Sequence, residues 1–402
     1  MQRYVRMFVA MPSAAPARHN GPITLGFAVA WNRDPKTTWS HTPWLLREAL
    51  RGHDGVRLED IGLSAPSWLT LPLKAWHMTR YQGRWISGWG HSPKIYHHHN
   101  TRLRRSAERQ RPDAILEIGD WGVASVPTFV YQDYSYLHLE EDTARNGYRT
   151  PQFDYHRERM LRARIEIQRR TIGRHAGIMS MSAWDADQLR RTGLVDPSRV
   201  HVVPPALNVS VSTKHRHVEA DATREHRVLF VGRDPWRFIT SKSGDLIIDA
   251  VGKLRQGGRR IRLVIIGPSR LPHMDTLPSW ITLIPEAPFD VVQQELQQAD
   301  VFCMPSRFEA YGIAFIEALA AGVPVIGRDA FAMPEFIRHG DNGYLLSANG
   351  TADELASLID QAIDNVDMRA RVIRQAADVA AYFSWPRVAR DMVDIITSTI
   401  RS

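Results

Sequence analysis

The chain alternates between short apolar runs, typical of buried strands, and amphipathic stretches, typical of helices. This alternation predicts parallel sheets covered by helices, the α/β class of fold. In the first half we expect helices at residues 43–51, 157–175 and 183–192, the first of them with Thr42 as its N-cap. Strands are expected there at residues 23–30, 113–118, 127–131, 177–181 and 200–203.

The same alternation starts again after a polar stretch at residues 208–225, which is typical of a linker. One restart within 402 residues predicts two α/β domains of similar size. In the second half the sequence predicts strands at 227–231, 261–266, 301–304 and 323–326, and helices at 244–255, 289–299, 313–321 and 352–365.

The composition excludes two classes of protein. The single cysteine, Cys303, cannot form an internal disulfide, which excludes a disulfide-held scaffold. The sequence has no run of ~18 apolar residues that would predict a membrane-spanning helix. Residues 1–20 are expected to be a disordered extension, with a signal peptide as the alternative because Arg3 and Arg6 precede an alanine-rich stretch. We expect a cytoplasmic protein that can associate with a membrane surface.

Positive charge is concentrated in the first half of the chain. Residues 1–205 hold 29 Lys and Arg against 19 Asp and Glu, whereas the rest holds 22 against 24. One interpretation is a set of solvated helix faces. The other is attraction to an anionic partner, such as a phospholipid surface or an anionic acceptor. Nucleic acid is not expected, because no nucleic-acid-binding motif accompanies the charge.

Tryptophan and histidine are also unevenly distributed. Eight of the twelve tryptophans precede residue 122, and they fit either core packing or a platform for a saccharide or lipid acceptor. The triplet at residues 97–99 consists of three histidines. Adjacent side chains point in different directions on a regular element, so we predict no metal site there.

Two charged constellations follow predicted strands of the second half. Gly232 and Arg233 come directly after a strand, and Lys242 precedes a predicted helix, a combination that suits a pyrophosphate group. Glu309 follows the strand at 301–304, and Glu317 lies eight residues later on a largely apolar helix. A carboxylate in such apolar surroundings suggests a role in binding hydroxyl groups.

At Glu309 and Glu317 the sequence resembles the retaining GT-B glycosyltransferases of family 4, which carry a Glu-x7-Glu motif. The resemblance extends over about two hundred residues of ordered motifs, including Val231-Gly232-Arg233, Val264-Ile265-Ile266-Gly267, Gly322-Val323-Pro324, Pro334-Glu335, Phe383-Ser384-Trp385 and, in the first half, residues 181–184 and 196–205. The earliest 130 or so residues resemble the family only in their strand–helix alternation.

The resemblance implies a GT-B fold, in which two Rossmann-like domains face an interdomain cleft. We place the acceptor-binding domain at residues 21–207, the nucleotide-sugar-binding domain at 208–383, and a C-terminal helix at 384–402 that crosses back to the first domain. The implied reaction moves a sugar from a nucleotide-diphosphate sugar, with UDP or GDP as the nucleotide, to an acceptor hydroxyl with retention of configuration. No obligatory cofactor or metal is implied.

The implied roles are carried over residue by residue. Arg233 and Lys242 would neutralise the diphosphate and stabilise the leaving nucleotide, Glu317 would bind the ribose hydroxyls, and Glu309 would bind the transferred sugar and join the first two as a catalytic residue. The full set expected to bind the donor is Gly232, Arg233, Lys242, Glu309, Tyr311, Gly312 and Glu317.

The chain departs from the family pattern on the acceptor side. The family's usual histidine after the strand at 127–131 is replaced by Gln132 and Asp133, so that Asp133 or His138 could take part of its role. The usual glycine-rich loop after the first strand is replaced by residues 31–42, which include His41. Gln132, Asp133, His138 and His41 are therefore our acceptor-side candidates.

The acceptor itself stays open between a saccharide, a lipid-linked sugar and a small molecule. The missing histidine also keeps an alternative from another class, a catalytically weak protein that binds a nucleotide sugar or an anionic partner. A GT-B sugar-nucleotide epimerase is a further alternative, against which the Glu-x7-Glu segment argues.

Overall fold

A computed structural model describes residues 21–81, 83–146, 153–209, 224–232, 238–239, 241–271, 274 and 276–401 of the chain. The chain divides into two compact units. The first comprises Met1–Pro205 with Trp385–Ser402, and the second comprises Ala206–Ser384. The expected N-terminal extension at 1–20 and most of the polar stretch at 208–225 lie outside the described residues.

The first unit is built on a six-stranded parallel sheet with the strand order β2-β1-β5-β6-β7-β8. These strands are β1 Ile23–Val29, β2 Val56–Gly62, β5 Ala114–Ile118, β6 Thr128–Gln132, β7 Gly177–Ser180 and β8 Val200–Val202. A separate antiparallel hairpin pairs β3 Met78–Tyr81 with β4 Arg84–Ser87. The central strands β5 and β6 are buried along their whole length, as expected for a parallel sheet covered on both faces.

The described residues before Pro205 form six α-helices: α1 Thr42–Arg51, α2 Ser67–Trp76, α3 Pro93–Gln110, α4 Leu139–Asn146, α5 Glu158–Thr171 and α6 Ala183–Arg191. The predicted N-cap of α1 is wrong, because Thr42 is its first residue and the cap is His41 in a left-handed conformation. The predicted helix at 157–175 ends as α5 at Thr171, and a 3-10 turn at Ile172–Arg174 completes the segment.

The second unit also has a six-stranded parallel sheet, in the order β11-β10-β9-β12-β13-β14. Its strands are β9 His226–Val231, β10 Ile261–Gly267, β11 Ile281–Pro285, β12 Val301–Cys303, β13 Val325–Arg328 and β14 Gly343–Leu346. The α-helices of its described residues are α7 Gly244–Gln256, α8 Phe289–Gln298, α9 Ile313–Ala320, the single turn α10 Met333–Phe336, α11 Ala352–Asp364 and α12 Val366–Tyr382.

The last helix, α13 Trp385–Arg401, belongs to the first unit and packs against α1. On it, the Arg387 guanidinium donates to the carbonyl of Pro204 at 2.8 Å and pairs with Asp391. The chain therefore returns to the end of the first unit after completing the second.

The predicted α/β class is confirmed by the two parallel sheets. The strand order of the second unit is that of a Rossmann fold, and the first unit places β1 between β2 and β5 in a doubly wound arrangement. In each sheet the direction of chain progress reverses beside the first strand: at β1 and β5 in the first unit, and at β9 and β12 in the second. Ligands of such sheets bind past the carboxyl ends of the strands at these reversal points.

Candidate functional site

In the second unit, the loop that follows β9 begins with a close approach of backbone and side chain. Gly232 donates its N–H to the carbonyl of Ile266 at 2.9 Å. A Cβ at Gly232 would lie 2.9 Å from the ring of Phe230 and 3.9 Å from Cγ of Lys242. The absence of a side chain at Gly232 thus leaves room for Phe230 and brings Lys242 beside the end of β9.

Ser241 joins the loop after β9 to the loop after β12. Its carbonyl accepts the backbone N–H of Arg307 at 2.8 Å and that of Phe308 at 3.3 Å. The next residue, Lys242, pairs its ammonium with the carboxylate of Glu309. Both side chains keep a small exposed fraction, 19% for Lys242 and 15% for Glu309. Two charges that lie 67 residues apart in sequence therefore meet at the reversal point of the sheet.

Gly312 forms the N-cap of α9 with φ at +97°, a conformation that side chains rarely adopt. A Cβ there would lie 2.8 Å from the ring of Phe315 and 3.0 Å from Cγ of Glu309. Tyr311, just before it, is buried and packs its ring against Phe336. Helix α9 therefore begins at Ile313, with its N-cap Gly312 packed against the side chain of Glu309.

Glu317 is buried on α9, with 7% of its surface exposed. Its carboxylate accepts the backbone N–H of Asn208 at 3.1 Å. Asn208 belongs to the second unit, where the neighbouring Leu207 donates to the carbonyl of Phe383 at 3.0 Å. The carboxylate of Glu317 is therefore held by backbone rather than left exposed on a helix surface.

Arg328, at the end of β13, is a residue of this site that the sequence analysis missed. It is 5% exposed, and its guanidinium donates to the carbonyls of Pro305, Ser306, Ser347 and Ala348 at 2.7–3.3 Å. It thereby holds the start of the loop that carries Glu309. In the sequence, Arg328 is a charged residue at the end of an apolar run. Such a residue also occurs at ordinary strand ends, so the pattern does not indicate a functional role.

Arg233, predicted to act with Lys242 on the diphosphate, lies outside the described residues. The structure brings together Gly232, Lys242 and Glu309, and it places Tyr311, Gly312 and Glu317 on the same loop and helix. The roles expected of these residues stay predictions.

On the acceptor side, Gln132 and His138 meet at one carboxylate. Gln132 ends β6 and donates to Asp185 at 3.4 Å, and Nε2 of His138 lies 2.8 Å from the other oxygen of Asp185. The backbone N–H of Ser135 and the hydroxyl of Ser180 also donate to this carboxylate. His138 is 1% exposed, and Asp185 is fully buried.

Asp185 was missed because its position gave a different signal. It stands third in α6 after Ser182, whose hydroxyl accepts its N–H at 3.1 Å. A serine followed three residues later by an acid is the pattern of a helix start. The carboxylate instead serves the polar cluster made by Gln132 and His138.

The two other acceptor-side candidates are Asp133 and His41. Asp133 follows β6 and is half-buried. His41 ends a loop after β1 in which three consecutive residues, Trp39, Ser40 and His41, have φ between 43° and 76°. Left-handed conformations cost free energy in residues other than glycine and concentrate at functional sites. The family resemblance predicts a glycine-rich loop at this position. Residues 31–42 contain no glycine, although three of them adopt the left-handed conformation that glycine favours.

A buried charged cluster lies in the same unit. Glu117, Asp120 and His175 have one oxygen or nitrogen atom each within 4.8 Å of one another. Nε2 of His175 lies 2.9 Å from Glu117, while the N–H groups of Trp121 and Gly122 donate to the other carboxylate oxygen of Glu117. Burial opposes charge on His175, but the hydrogen bond and the charge of Glu117 outweigh it and raise the pKa of His175 to about 9. His175 and Glu117 therefore form a hydrogen-bonded pair in the core.

The histidine triplet does not converge on one point. On α3, His97 is exposed, His98 is half-buried and His99 is buried. Burial, with help from nearby positive charges, lowers the pKa of His99 to about 3, which keeps it neutral. Within the part of the chain that the structure describes, no helix is long and apolar enough to cross a membrane.

Comparison with known proteins begins with the second unit, where a family model matches. The family model described as glycosyl transferases group 1 matches residues 211–379. A D-inositol 3-phosphate glycosyltransferase of Nocardia farcinica (strain IFM 10152) is 28% identical over 245 residues, which are 56% of this chain and 52% of the relative. The chain thus spans about half the length of that relative.

Solved structures match over nearly the whole chain. Sucrose-phosphate synthase from Thermosynechococcus elongatus has a TM-score of 0.67 at 14% identity and covers 93% of this chain and 98% of its own. Anabaena Alr3699/HepE, solved with UDP and glucose, has a TM-score of 0.59 at 15% identity over 94% of this chain and 100% of its own. The second unit therefore resembles the glycosyl transferases group 1 family over residues 211–379, and the chain as a whole has the fold of the GT-B glycosyltransferases.

Proposed function

We propose that the protein is a retaining glycosyltransferase that moves a sugar from a nucleotide-diphosphate sugar to an acceptor hydroxyl. The observation that carries this proposal is the pairing of Lys242 with Glu309 at the reversal point of the second sheet, beside Gly232. An ammonium beside a glycine-ended strand suits a diphosphate, and a neighbouring carboxylate suits sugar hydroxyls. The match to glycosyl transferases group 1 over residues 211–379 supports the same assignment.

In this proposal Arg233 and Lys242 take up the negative charge that develops on the leaving nucleoside diphosphate. Donor binding exchanges the Glu309 partner of Lys242 for phosphate oxygens, and Glu309 then accepts hydrogen bonds from hydroxyls of the transferred sugar. Glu317 binds the ribose hydroxyls, and the backbone N–H groups at Tyr311 and Gly312 lie near the phosphate or sugar. Two cationic side chains supply the charge that a metal ion would otherwise supply, so the reaction needs no metal.

The chemical step proposed is attack on the same face as the leaving group. The acceptor oxygen forms a bond to the anomeric carbon as the bond from that carbon to the phosphate oxygen breaks. The acceptor proton passes to that phosphate oxygen, which leaves as part of the nucleoside diphosphate. Retention of configuration follows from this geometry, and the resemblance to the retaining family is its support.

The substrates are proposed by class. UDP is the first nucleotide to test, because HepE was solved with UDP and glucose, and GDP is the second. The relative is named for D-inositol 3-phosphate, and the excess of positive charge in residues 1–205 suits an anionic acceptor of that kind. A saccharide and a lipid-linked sugar stay as the other acceptor classes, and an anionic membrane surface is proposed as a partner of the same basic half.

The test is nucleotide binding followed by product formation. Thermal unfolding with UDP, GDP, ADP and their sugar conjugates, with and without Mg²⁺, should show a raised melting temperature for one nucleotide without the metal. A ligand at ~100 times its dissociation constant adds about 2.7 kcal/mol to the free energy of unfolding. Lys242→Ala should abolish the shift. Lys253→Ala, which removes a half-exposed lysine from α7 paired with Asp353, should keep it.

Product analysis separates the alternatives. Transfer to an acceptor with the anomeric configuration of the donor supports the proposal, and the inverted configuration contradicts its mechanism. Nucleotide binding without any transfer supports the catalytically weak binding protein. Conversion of the nucleotide sugar into its epimer supports the epimerase.

A further inference from the structure

Helix α2 of the first unit has an apolar face that points away from the protein. Trp68, Leu71 and Trp76 are 73%, 62% and 71% exposed. With Pro72 and Ala75, which are also exposed, they occupy positions i, i+3, i+4, i+7 and i+8, which form one continuous stripe. In a globular protein such a stripe normally packs on the core, whereas here the helix buries only Leu73.

The neighbouring hairpin adds further exposed apolar side chains. Trp85 is 70% exposed and lies directly opposite Arg80 in the β3–β4 register, while Met78, on the same face of the hairpin, is 42% exposed. The hydroxyl of Ser87 donates to the carbonyl of Lys74 at 2.8 Å, which ties the hairpin to α2. We call Trp68, Leu71, Trp76, Met78 and Trp85 the aromatic face.

The chain around the aromatic face carries positive charge alone. Residues 61–107 contain seven Lys and Arg and no Asp or Glu. Arg80 is exposed on the same face of the hairpin as Trp85. Lys74 is exposed on α2 beside the apolar stripe, and its ammonium lies 5.2 Å from the centre of the Trp89 ring. On the opposite side of β3, the hydroxyl of Tyr81 donates to the carboxylate of Asp154.

We propose that the aromatic face docks on an anionic phospholipid bilayer. Tryptophan is favoured at the boundary between acyl chains and headgroups, where its ring is apolar and its N–H stays hydrated. Lysine and arginine in the same surface reach the lipid phosphates while their aliphatic stems stay in the apolar layer. This inference specifies the membrane contact of the proposed function by its residues, and it does not depend on the transfer reaction.

Charge argues against the other occupants. A second copy of the chain would bring the same positive residues against each other in a two-fold interface. Residues 1–20 contain Arg3, Arg6 and Arg18 and no acidic residue, so this segment is also repelled. The positive residues repel both of these occupants, whereas they attract an anionic surface.

Co-sedimentation with vesicles tests the proposal on the full chain. The protein should pellet with vesicles of phosphatidylcholine mixed with phosphatidylglycerol, more weakly with phosphatidylcholine alone, and less as salt is raised. The triple variant W68S/W76S/W85S should lower the affinity for mixed vesicles at least about tenfold. The double variant K74Q/R80Q should lower it about fivefold for each charge removed, which corresponds to about 1 kcal/mol per charge.

A matched control removes the same net charge elsewhere. Arg162 and Arg170 on α5 are 72% and 75% exposed, and R162Q/R170Q should leave vesicle binding within about twofold of the parent. All three variants change exposed side chains, so their melting temperatures should match that of the parent. If the tryptophan variant fails to fold, K74Q/R80Q against R162Q/R170Q carries the test alone.

Four outcomes would overturn the proposal: no pelleting with mixed vesicles, unchanged pelleting of both surface variants, an equal loss in the α5 control, and self-association that W68S/W76S/W85S abolishes without any vesicle binding. The last outcome would assign the aromatic face to a second copy. Lys242→Ala should pellet like the parent, so that a failure of the donor site leaves this inference standing and the reverse also holds.

Discussion

The two units place polar residues past the ends of their strands in opposite ways. In the second unit, glycines at 232 and 312 make room for neighbouring rings, and the charged pair of Lys242 and Glu309 keeps a partly exposed surface. In the first unit, Gln132 and His138 lie buried around Asp185, and the loop after β1 holds non-glycine residues in left-handed conformations. In the proposed function the second unit supplies the phosphate and hydroxyl site. The corresponding region of the first unit is built from left-handed backbone and buried polar contacts.

The largest expected effect is the loss of turnover when either cation proposed to bind the diphosphate is removed. Arg233→Ala and Lys242→Ala should each lower turnover about 10²- to 10³-fold, because each removes charge stabilisation of the leaving nucleotide. Steady-state rates with the donor identified by thermal unfolding give the measurement. The control Lys253→Ala removes a lysine from α7, the helix that follows Lys242, and should change turnover less than about twofold. If Lys242→Ala kept a turnover close to that of the parent, the charged pair of the second unit would not be a donor site, and the contrast between the two units would no longer hold.

The next effect tests whether Arg328 holds the Glu309 loop. Arg328→Met should lower the free energy of unfolding by about 3 kcal/mol, since it leaves several carbonyls of residues 305–306 and 347–348 without their charged donor. Chemical denaturation measures this. Arg328→Lys should recover part of the stability, because an ammonium can reach some but not all of these carbonyls. A loss below about 1 kcal/mol for Arg328→Met would show that water replaces the guanidinium.

The difference between the units also explains what the sequence could predict. Gly232, Lys242, Glu309 and Glu317 stand in short ordered motifs, each next to a recognisable strand end or helix start, and the structure gathers them on adjoining loops. The polar cluster of the first unit joins residues 132, 138, 180 and 185 from separate elements, and no local pattern announces that they share one carboxylate.

Secondary structure was predicted incompletely in both units. The predicted strands of the second unit begin and end within two residues of β9, β10, β12 and β13, but β11, β14, α10 and α12 were not predicted. In the first unit β2, α2, the β3–β4 hairpin, α3 and α4 were not predicted. In α2 the apolar stripe points outward, and in α3 the eighteen residues carry few apolar side chains, so neither has the burial that makes periodicity readable.

A smaller effect sharpens the acceptor side. His138→Asn should lower the free energy of unfolding by about 1–2 kcal/mol, because it removes a buried hydrogen bond to Asp185. If the role of His138 is structural, turnover should fall less than about tenfold and the pH profile should keep its shape. Asp133→Asn, at a half-buried position, should instead raise KM for the acceptor with donor binding unchanged. A loss of turnover of more than about 100-fold in His138→Asn, without loss of stability, would make it the catalytic residue.

The smallest expected effect is a difference between the two units in how their stability depends on pH. The pKa of His175 in the folded first unit is raised to about 9 from 6.5, so its stabilising contribution is complete below pH 6.5 and is lost as pH rises towards 9. Burial raises the pKa of Glu117 from 4.5 to about 7, so the free energy of unfolding also falls with rising pH in the lower range from pH 4.5 to 7. In the second unit, burial opposes charge on Asp300, but hydrogen bonds from His226, Arg224 and the Arg227 backbone outweigh it and hold the pKa of its carboxyl below 3.8.

The stabilising contribution of Asp300 is therefore complete above pH 3.8 and is lost as pH falls below that value. Hydrogen exchange followed by peptide should show the first unit opening first on the alkaline side, by about 2 kcal/mol between pH 6.5 and 9, and the second unit opening first in acid. His175→Gln should remove the alkaline slope, because a neutral amide carries no titrating proton. Equal opening of both units at alkaline pH, or an unchanged slope in His175→Gln, would show that the buried pair does not set the difference.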